Sequence, residues 1–306
     1  MMKTFFSKLL LFGEYGLMFG ARALAVPFTQ YYGFLTKTAE FPDKSSRKSS
    51  VELERFSSWF RHQQLNERMN FPIDLDELDR DIRANLFFRS NIPFEYGVGS
   101  SGALCAALFH EYSIYGEVFS SFSRKRSLPE ALKEDFALME SYFHGKSSGL
   151  DPLVSFLGQP VLLKDGHISL PCIKDHNFSF SVYLMDTGQS GPTSPLVRLF
   201  LEKMKSLTFK DAFSNQYLPA NDGAIESFLT RNAEELFVHL RHISDFQLKY
   251  LSEMIPPSCV GIIGQLRDKG ISVKLLGSGG GGFLLVFVPG RKQPSILEKK
   301  NVMPIF

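Results

Sequence analysis

The stretch Pro93-Phe94-Glu95-Tyr96-Gly97-Val98-Gly99-Ser100-Ser101-Gly102-Ala103 decides how this chain is read. It follows a strand-like segment, Ala84 to Ile92, and opens a helical one, Ser100 to about Tyr112, with Leu104, Ala107 and Leu108 on its core side. A glycine-rich turn between strand and helix lets the backbone approach a ligand closely. The helix N-terminus adds free N–H groups and a partial positive charge, which suit a phosphate. The serine hydroxyls of Ser100 and Ser101 offer further contacts to a phosphate oxygen or a metal ion. On these residues alone an ordinary strand–helix turn stays open. Gly97 to Gly102 also spells G-x-G-x-x-G, with Glu117 as the distant acid of a dinucleotide fingerprint, but that pattern belongs in the first strand–helix–strand unit of a domain. A Walker loop is excluded because Ala103-Leu104 stand where Lys and Ser/Thr are required. A protein kinase is excluded by the lack of a His-Arg-Asp loop and of Asp-Phe-Gly.

Two further segments carry the same chemistry. In His144-Gly145-Lys146-Ser147-Ser148-Gly149-Leu150-Asp151 a carboxylate follows a helix that runs from Pro129 to Phe143 and ends at Gly145. Leu132, Phe136, Met139 and Phe143 form the apolar stripe of that helix. Glu140, one turn after Phe136, lies at the stripe's edge, either as a flank charge or as an Mg²⁺ ligand. Asp151 precedes Pro152 and reads as an N-cap for a new helix, as a proton acceptor, or as both. Gly277-Ser278-Gly279-Gly280-Gly281-Gly282 joins two apolar strands, Ile271 to Leu276 and Phe283 to Val288. It is either a flexible hairpin turn or a backbone that passes very close to something else. Lys8, in Ser7-Lys8-Leu9-Leu10-Leu11, is a charge on an otherwise apolar strand. It either snorkels outward or sits buried beside a carboxylate and a phosphate.

Around these segments the chain reads as a globular protein of 306 residues, 44% hydrophobic and 22% charged, enough for one large domain or two of ordinary size. A net charge of +2 leaves no overall field for nucleic acid, and Arg124-Lys125-Arg126 reads as a solvated helix approach. Three cysteines, Cys105, Cys172 and Cys259, lie far apart without a CxxC pair, which suits a reducing compartment and argues against a thiolate metal site. The apolar start resembles a secretion signal, but Lys8 interrupts it, Glu14 follows and no cleavage site is placed correctly; it is expected to be a strand of a cytoplasmic protein. No apolar run approaches the roughly 18 residues of a membrane span. Further expectations are a strand from Lys8 to Phe12 and a short strand or extended segment from Ala23 to Phe28, stopped by Pro27. A polar loop over 38–50, helices at Val51 to Leu65 and Leu75 to Ile82, a strand at Phe178 to Met185 and a largely helical Asp222 to Ile255 follow.

Taken together, these segments resemble the motifs of the GHMP kinases, the superfamily of galactokinase, homoserine kinase, mevalonate kinase and phosphomevalonate kinase. The Pro-x-x-x-Gly-Leu-Gly-Ser-Ser-Ala loop matches Pro93 to Ala103, with Val98 for Leu and an added Gly102. The first motif matches Lys8 to Leu24, including Gly13-Glu14, and the third matches Leu276 to Gly282. Within the superfamily, His144 to Asp151 is most similar to the His-Gly-x-x-Ser-Gly-x-Asp segment of bacterial mevalonate kinases. The resemblance implies an α+β chain of two domains: an N-terminal ribosomal-protein-like α/β domain over 1–180 and a C-terminal ferredoxin-like domain over 181–306, with a cleft between.

By position the resemblance implies that Asp151 accepts the hydroxyl proton and Lys8 stabilises the charge that results. Ser101 and Glu140 would hold Mg²⁺, and Gly97, Val98, Gly99, Ser100, Ser101 and Gly102 would cradle ATP. Glu14, Tyr15, Ser148, Thr193, Gly279 and Gly280 would line the substrate. Tyr15 stands where the family has His, and Pro-Phe-Glu-Tyr where Pro-Pro-Gly-Ala is common. The implied activity is ATP-dependent phosphorylation of a small alcohol, mevalonate first, in isoprenoid precursor synthesis. Phosphomevalonate kinase, a sugar kinase and a non-catalytic ligand sensor of the same fold are the alternatives. The resemblance implies no nucleic-acid or membrane partner and admits a homodimer.

Overall fold

The computed structural model describes residues 3–113, 128–173, 178–298 and 300–306. Glu117 and the Arg124–Arg126 cluster lie outside the described residues. The chain divides into two compact units, each assembled from separate segments. The first takes the chain up to Lys8, Pro27–Pro93 and Gly99–Gln159; the second takes Leu9–Val26, Phe94–Val98 and Pro160–Phe306.

The strand β1 (Phe5–Phe12) and the long strand β2 (Ala23–Lys37) run through both units. In the first unit follow α1 (Lys44–His62), α2 (Leu75–Arg83), β3 (Leu86–Ser90), α3 (Ser100–Tyr112), α4 (Leu128–His144) and α5 (Leu150–Leu157). Strand β3 pairs antiparallel with the far half of β2, Gly33 opposite Ser90 through Lys37 opposite Leu86. The expected stop at Pro27 is corrected: the strand continues for ten residues beyond it. Pro27 falls between Ala23–Ala25, which pairs with β4 (Val161–Lys164), and the stretch paired with β3, so its missing N–H breaks no bond to either of those two strands. The expected polar loop over 38–50 is also shorter, because Asp43 caps α1 by accepting the Ser46 N–H at 2.7 Å.

Leu53, Phe56 and Phe60 of α1 are fully buried at helical spacing. Phe109 of α3, Phe136 of α4 and Phe156 of α5 meet at centroid distances of 4.9 to 5.4 Å. Each such ring removed from water contributes about 1.5–3 kcal/mol, so this three-helix junction is a firm base for whatever the ends of those helices hold.

In the second unit β4 turns into β5 (His167–Ser169). Then come β6 (Phe180–Asp186), α6 (Thr193–Lys203), α7 (Leu207–Ala212), α8 (Leu218–Thr230) and α9 (Ala233–Tyr250). The chain ends with α10 (Pro257–Arg267), β7 (Ser272–Leu275), β8 (Phe283–Pro289), α11 (Ser295–Glu298) and β9 (Val302–Pro304). The sheet order is β7-β8-β6-β9 with every neighbouring pair antiparallel, the order expected of a ferredoxin-like sheet. One π-helical turn, Phe213–Tyr217, joins α7 to α8 and stacks Phe213 on Tyr217 at 5.0 Å. Among the described residues no helix is long and apolar enough to cross a membrane.

Candidate active site

In the first unit the site grows from three glycines. Gly99 precedes α3 with φ +80°, and a Cβ there would lie 2.9 Å from Lys8 Cγ. Gly102 faces α5: its Cβ would lie 2.8 Å from the Asp151 carbonyl carbon, so the two helices meet backbone to backbone. Gly149 has φ +72° and a Cβ there would stand 2.0 Å from the Lys133 carbonyl oxygen of α4, which no side chain permits. These close approaches bring Lys8 Nζ to 2.9 Å from Asp151 Oδ2, with the lysine side chain 5% and the aspartate 29% exposed. Asp151 is therefore not the N-cap expected from Pro152. Gly149 takes that place, Ser147 Oγ accepts the Gly149 N–H at 3.0 Å, and Asp151 falls in the first turn of α5.

Glu140 of α4 is buried. Its carboxylate accepts hydrogen bonds from Ser101 Oγ at 3.0 Å and from Ser147 Oγ. His144, one turn further along α4, places Nε2 3.1 Å from Ser101 Oγ. Burial first, then the charge of Asp151, pushes the Glu140 carboxyl up to about 7, against the two serine hydrogen bonds and Lys8. No side chain caps the N-terminus of α3, so its first-turn N–H groups remain open to an anion. A lysine, a partly exposed carboxylate, an uncapped helix N-terminus and a buried carboxylate lined by hydroxyls thus share one end of the α3–α4–α5 junction.

In the second unit Glu14 and Lys274 form an ion pair with side chains 0% and 1% exposed. Lys274 also donates to the Leu275 carbonyl at 2.9 Å, and the Tyr217 hydroxyl donates to the Glu14 carbonyl at 3.1 Å. Burial lowers the Lys274 pKa against the raising effect of Glu14. Tyr15 has φ 58°, stacks on Phe200 at 4.2 Å and 14°, and donates its hydroxyl to the Ser278 carbonyl at 2.6 Å. Burial, then the charge of Glu14, holds the Tyr15 phenol above its ordinary range, so it stays a donor.

The glycine turn is packed on every side. Cβ atoms at Gly279, Gly281 and Gly282 would meet Met254 O, Ser190 C and Tyr96 O at 2.5 to 2.6 Å. Gly280 N donates to Met254 O and Gly282 N to Gln189 O, both at 2.6 Å. Gly97, with φ +74°, lies against Leu276, and the Tyr96 ring meets Phe283 edge-on at 5.1 Å. The close neighbours implied by four glycines are thus protein atoms: backbone at Gly279, Gly281 and Gly282, and the Leu196 side chain at Gly280. Two surface cavities of this unit, about 430 and 540 Å³, open against α9 and share no residue with either group.

No family model matches the chain. A curated mevalonate kinase of Pyrococcus abyssi is 24% identical over 94% of this chain and 88% of its own length. The solved structure of L. major mevalonate kinase in complex with R-mevalonate superposes with a TM-score of 0.61 at 17% identity, covering 98% of this chain and 90% of that one. Streptococcus pneumoniae phosphomevalonate kinase, in complex with phosphomevalonate and AMPPNP, superposes with a TM-score of 0.62 at 13% identity over the full length of both. The fold is that of the GHMP kinases, and the chain resembles the mevalonate kinases.

Among the residues that the GHMP motifs single out, Lys8, Ser101, Gly102, Glu140, Ser148 and Asp151 gather in the first unit with Gly99 and Ser100. Val98 is buried, and Ser148 spends its hydroxyl as acceptor of the Leu150 N–H at 3.3 Å. Gly97, Glu14, Tyr15, Thr193, Gly279 and Gly280 belong to the second unit; Thr193 is the exposed first residue of α6. Lys274 was missed, although a lysine within the apolar strand at Ile271 to Leu276 is the same signal that marked Lys8. Ser147 and the His144 side chain were missed too, and only the folding of α4 beside α3 reveals them. No ready sequence signal pointed to Tyr217.

Proposed function

We propose that this protein is an ATP- and Mg²⁺-dependent kinase that phosphorylates the primary alcohol of a small metabolite, mevalonate first, to give 5-phosphomevalonate. The observation that carries the reading is the Lys8–Asp151 pair at 2.9 Å, partly open on the aspartate side, within the same unit as the uncapped N-terminus of α3. In this reading Asp151 accepts the alcohol proton as the alcohol oxygen bonds to the γ-phosphorus and the β–γ bridging oxygen leaves with ADP. Lys8 stabilises the negative charge that develops, and the segment Gly97 to Gly102 holds the phosphates by backbone N–H groups. Such transfer rests on positioning and electrostatics more than on covalent chemistry.

Ser101 and Glu140 fit Mg²⁺ as hard oxygen donors, the buried carboxylate facing hydroxyls rather than a hydrogen-bonded cation. Among the described residues no cluster of three or more acidic, histidine or cysteine side chains forms a protein cage, which accords with an ion that keeps phosphate and water ligands. When bound, Mg²⁺ neutralises phosphate charge. The reading assigns catalysis and nucleotide binding to 1–180 and a ferredoxin-like domain to 181–306; Glu14, Thr193 and the glycine turn are substrate candidates. A coupled ADP-release assay across mevalonate, phosphomevalonate, homoserine and galactose tests it. Mevalonate is expected to give the highest kcat/KM; preference for another acceptor replaces the substrate, and no ADP release with any of them sinks the kinase reading.

A further inference from the structure

Tyr15 occupies the position where the GHMP kinases carry a substrate-facing histidine, and the geometry gives it different work. Its ring is 7% exposed and stacked on Phe200, and its hydroxyl is spent on the Ser278 carbonyl at 2.6 Å. Ser278 belongs to the glycine turn, which in turn supports the opening of the phosphate loop. Gly282 packs on the Tyr96 carbonyl, and Gly97 rests against the Leu276 carbonyl. The turn itself carries little side-chain mass to hold it: every residue from Gly277 to Gly282 except Ser278 is glycine. Glycine loses more conformational freedom on ordering than any other residue, so such a turn is ordered only by bonds to its backbone. Those bonds come from Met254, Gln189, Thr187 and Tyr15. Of these, Tyr15 alone is a side chain of the first motif, and the residue before it is pinned by Lys274 and Tyr217.

We propose that Tyr15 is a positioning residue for the nucleotide, acting through Ser278 and the glycine turn on Tyr96 and Gly97, and not a contact to the alcohol substrate. The inference rests on the kinase reading for the identity of the ligand, while the brace itself does not need it. Removal of the hydroxyl in Tyr15→Phe keeps the stack on Phe200 and deletes only the bond to Ser278. One neutral hydrogen bond corresponds to a change of about five-fold.

The test compares wild type and Tyr15→Phe in three readouts at about 25 °C. Amide hydrogen exchange in the unliganded protein is expected to accelerate about five-fold at Gly97, Gly99 and Gly277–Gly282, with the α3–α5 junction unmoved. Calorimetric affinity for AMPPNP with Mg²⁺ is expected to weaken by a similar factor of about five, and KM for the alcohol at saturating ATP to stay within about two-fold. Unchanged exchange in the turn and loop overturns the inference whatever the ligands do. A rise in alcohol KM with unchanged nucleotide affinity also overturns it and restores Tyr15 as a substrate contact. If wild type itself binds no AMPPNP, the kinase reading fails, and that result is visible before any variant is compared.

Discussion

Among the described residues each unit contains one ion pair built on a buried lysine, and the two pairs differ in a way that separates chemistry from scaffold. Lys8 and Asp151 are 2.9 Å apart, but the aspartate keeps 29% of its side chain exposed. Glu14 and Lys274 are sealed, at 0% and 1%, and they bond further to Tyr217 and the Leu275 carbonyl. Taking charges out of water costs several kcal/mol per ion, so a sealed pair survives only when every partner is in place. An open pair leaves a lone pair free for a substrate. The chemistry, a lysine against a carboxylate, is the same in both; exposure tells them apart.

The comparison breaks first at Asp151. Replacement by Asn is expected to lower turnover by about 10²–10⁴-fold, the usual contribution of a positioned acid–base group. Because Asp151 lies inside the first turn of α5 and not at its cap, the stability cost should stay near 0.3–1 kcal/mol, as an order of magnitude. Near wild-type turnover in the ADP-release assay would make the open pair as structural as the sealed one.

The sealed pair should answer in stability. Lys274→Met leaves Glu14 buried without its cation and is expected to cost about 3–5 kcal/mol in urea unfolding, with much of the loss recovered by adding Glu14→Gln. Lys8→Met, whose partner can turn to solvent, should cost about 1 kcal/mol or less. Equal losses for the two lysines would erase the distinction.

Glu140 sharpens it further. Its carboxyl is pushed from an ordinary 4.5 up to about 7, so between those values the folded protein holds a proton that the unfolded chain has released. Stability is therefore expected to fall as pH rises through that window. Without metal at pH 8, Glu140→Gln should be more stable than wild type by roughly 3 kcal/mol, and the two should agree near pH 4. Added Mg²⁺ should stabilise wild type and leave the variant unmoved. Parallel pH profiles in thermal melts would mean that Glu140 titrates alike in the folded and unfolded protein and would reduce it to a flank charge of α4.

The smallest effect is expected at Gly99. Valine there must adopt φ +80° and meets the Lys8 stem at 2.9 Å, a strain of about 1–2 kcal/mol that the flexible lysine partly relieves. Weaker ATP affinity with an intact fold is the expected outcome, and unchanged affinity by calorimetry would remove Gly99 from the cradle.

Local sequence was sufficient where one segment satisfies itself. Helix α3 spans Ser100–Tyr112 as its pattern indicates, because its glycine start and apolar face need no distant partner to be recognised. The lysine on an apolar strand announced Lys8, and four glycines announced a close approach. Local rules failed where a neighbour overrode them. Pro27 signals a strand end, yet β2 continues past it to pair with β3, and neither β3 nor β4 needs its N–H. Asp151 before Pro152 signals a cap, yet the Gly149 approach to Lys133 moves the cap two residues earlier.

What the sequence determined by itself was therefore the set of reactive groups and the turns that only glycine can make, since backbone strain and a charge in an apolar run are local quantities. What only the tertiary structure decided was which lysine faces which carboxylate, and whether that pair is open or sealed. That outcome depends on segments far apart in the chain, Lys8 with Asp151 and Glu14 with Lys274, and burial belongs to the packed molecule, not to any residue in it.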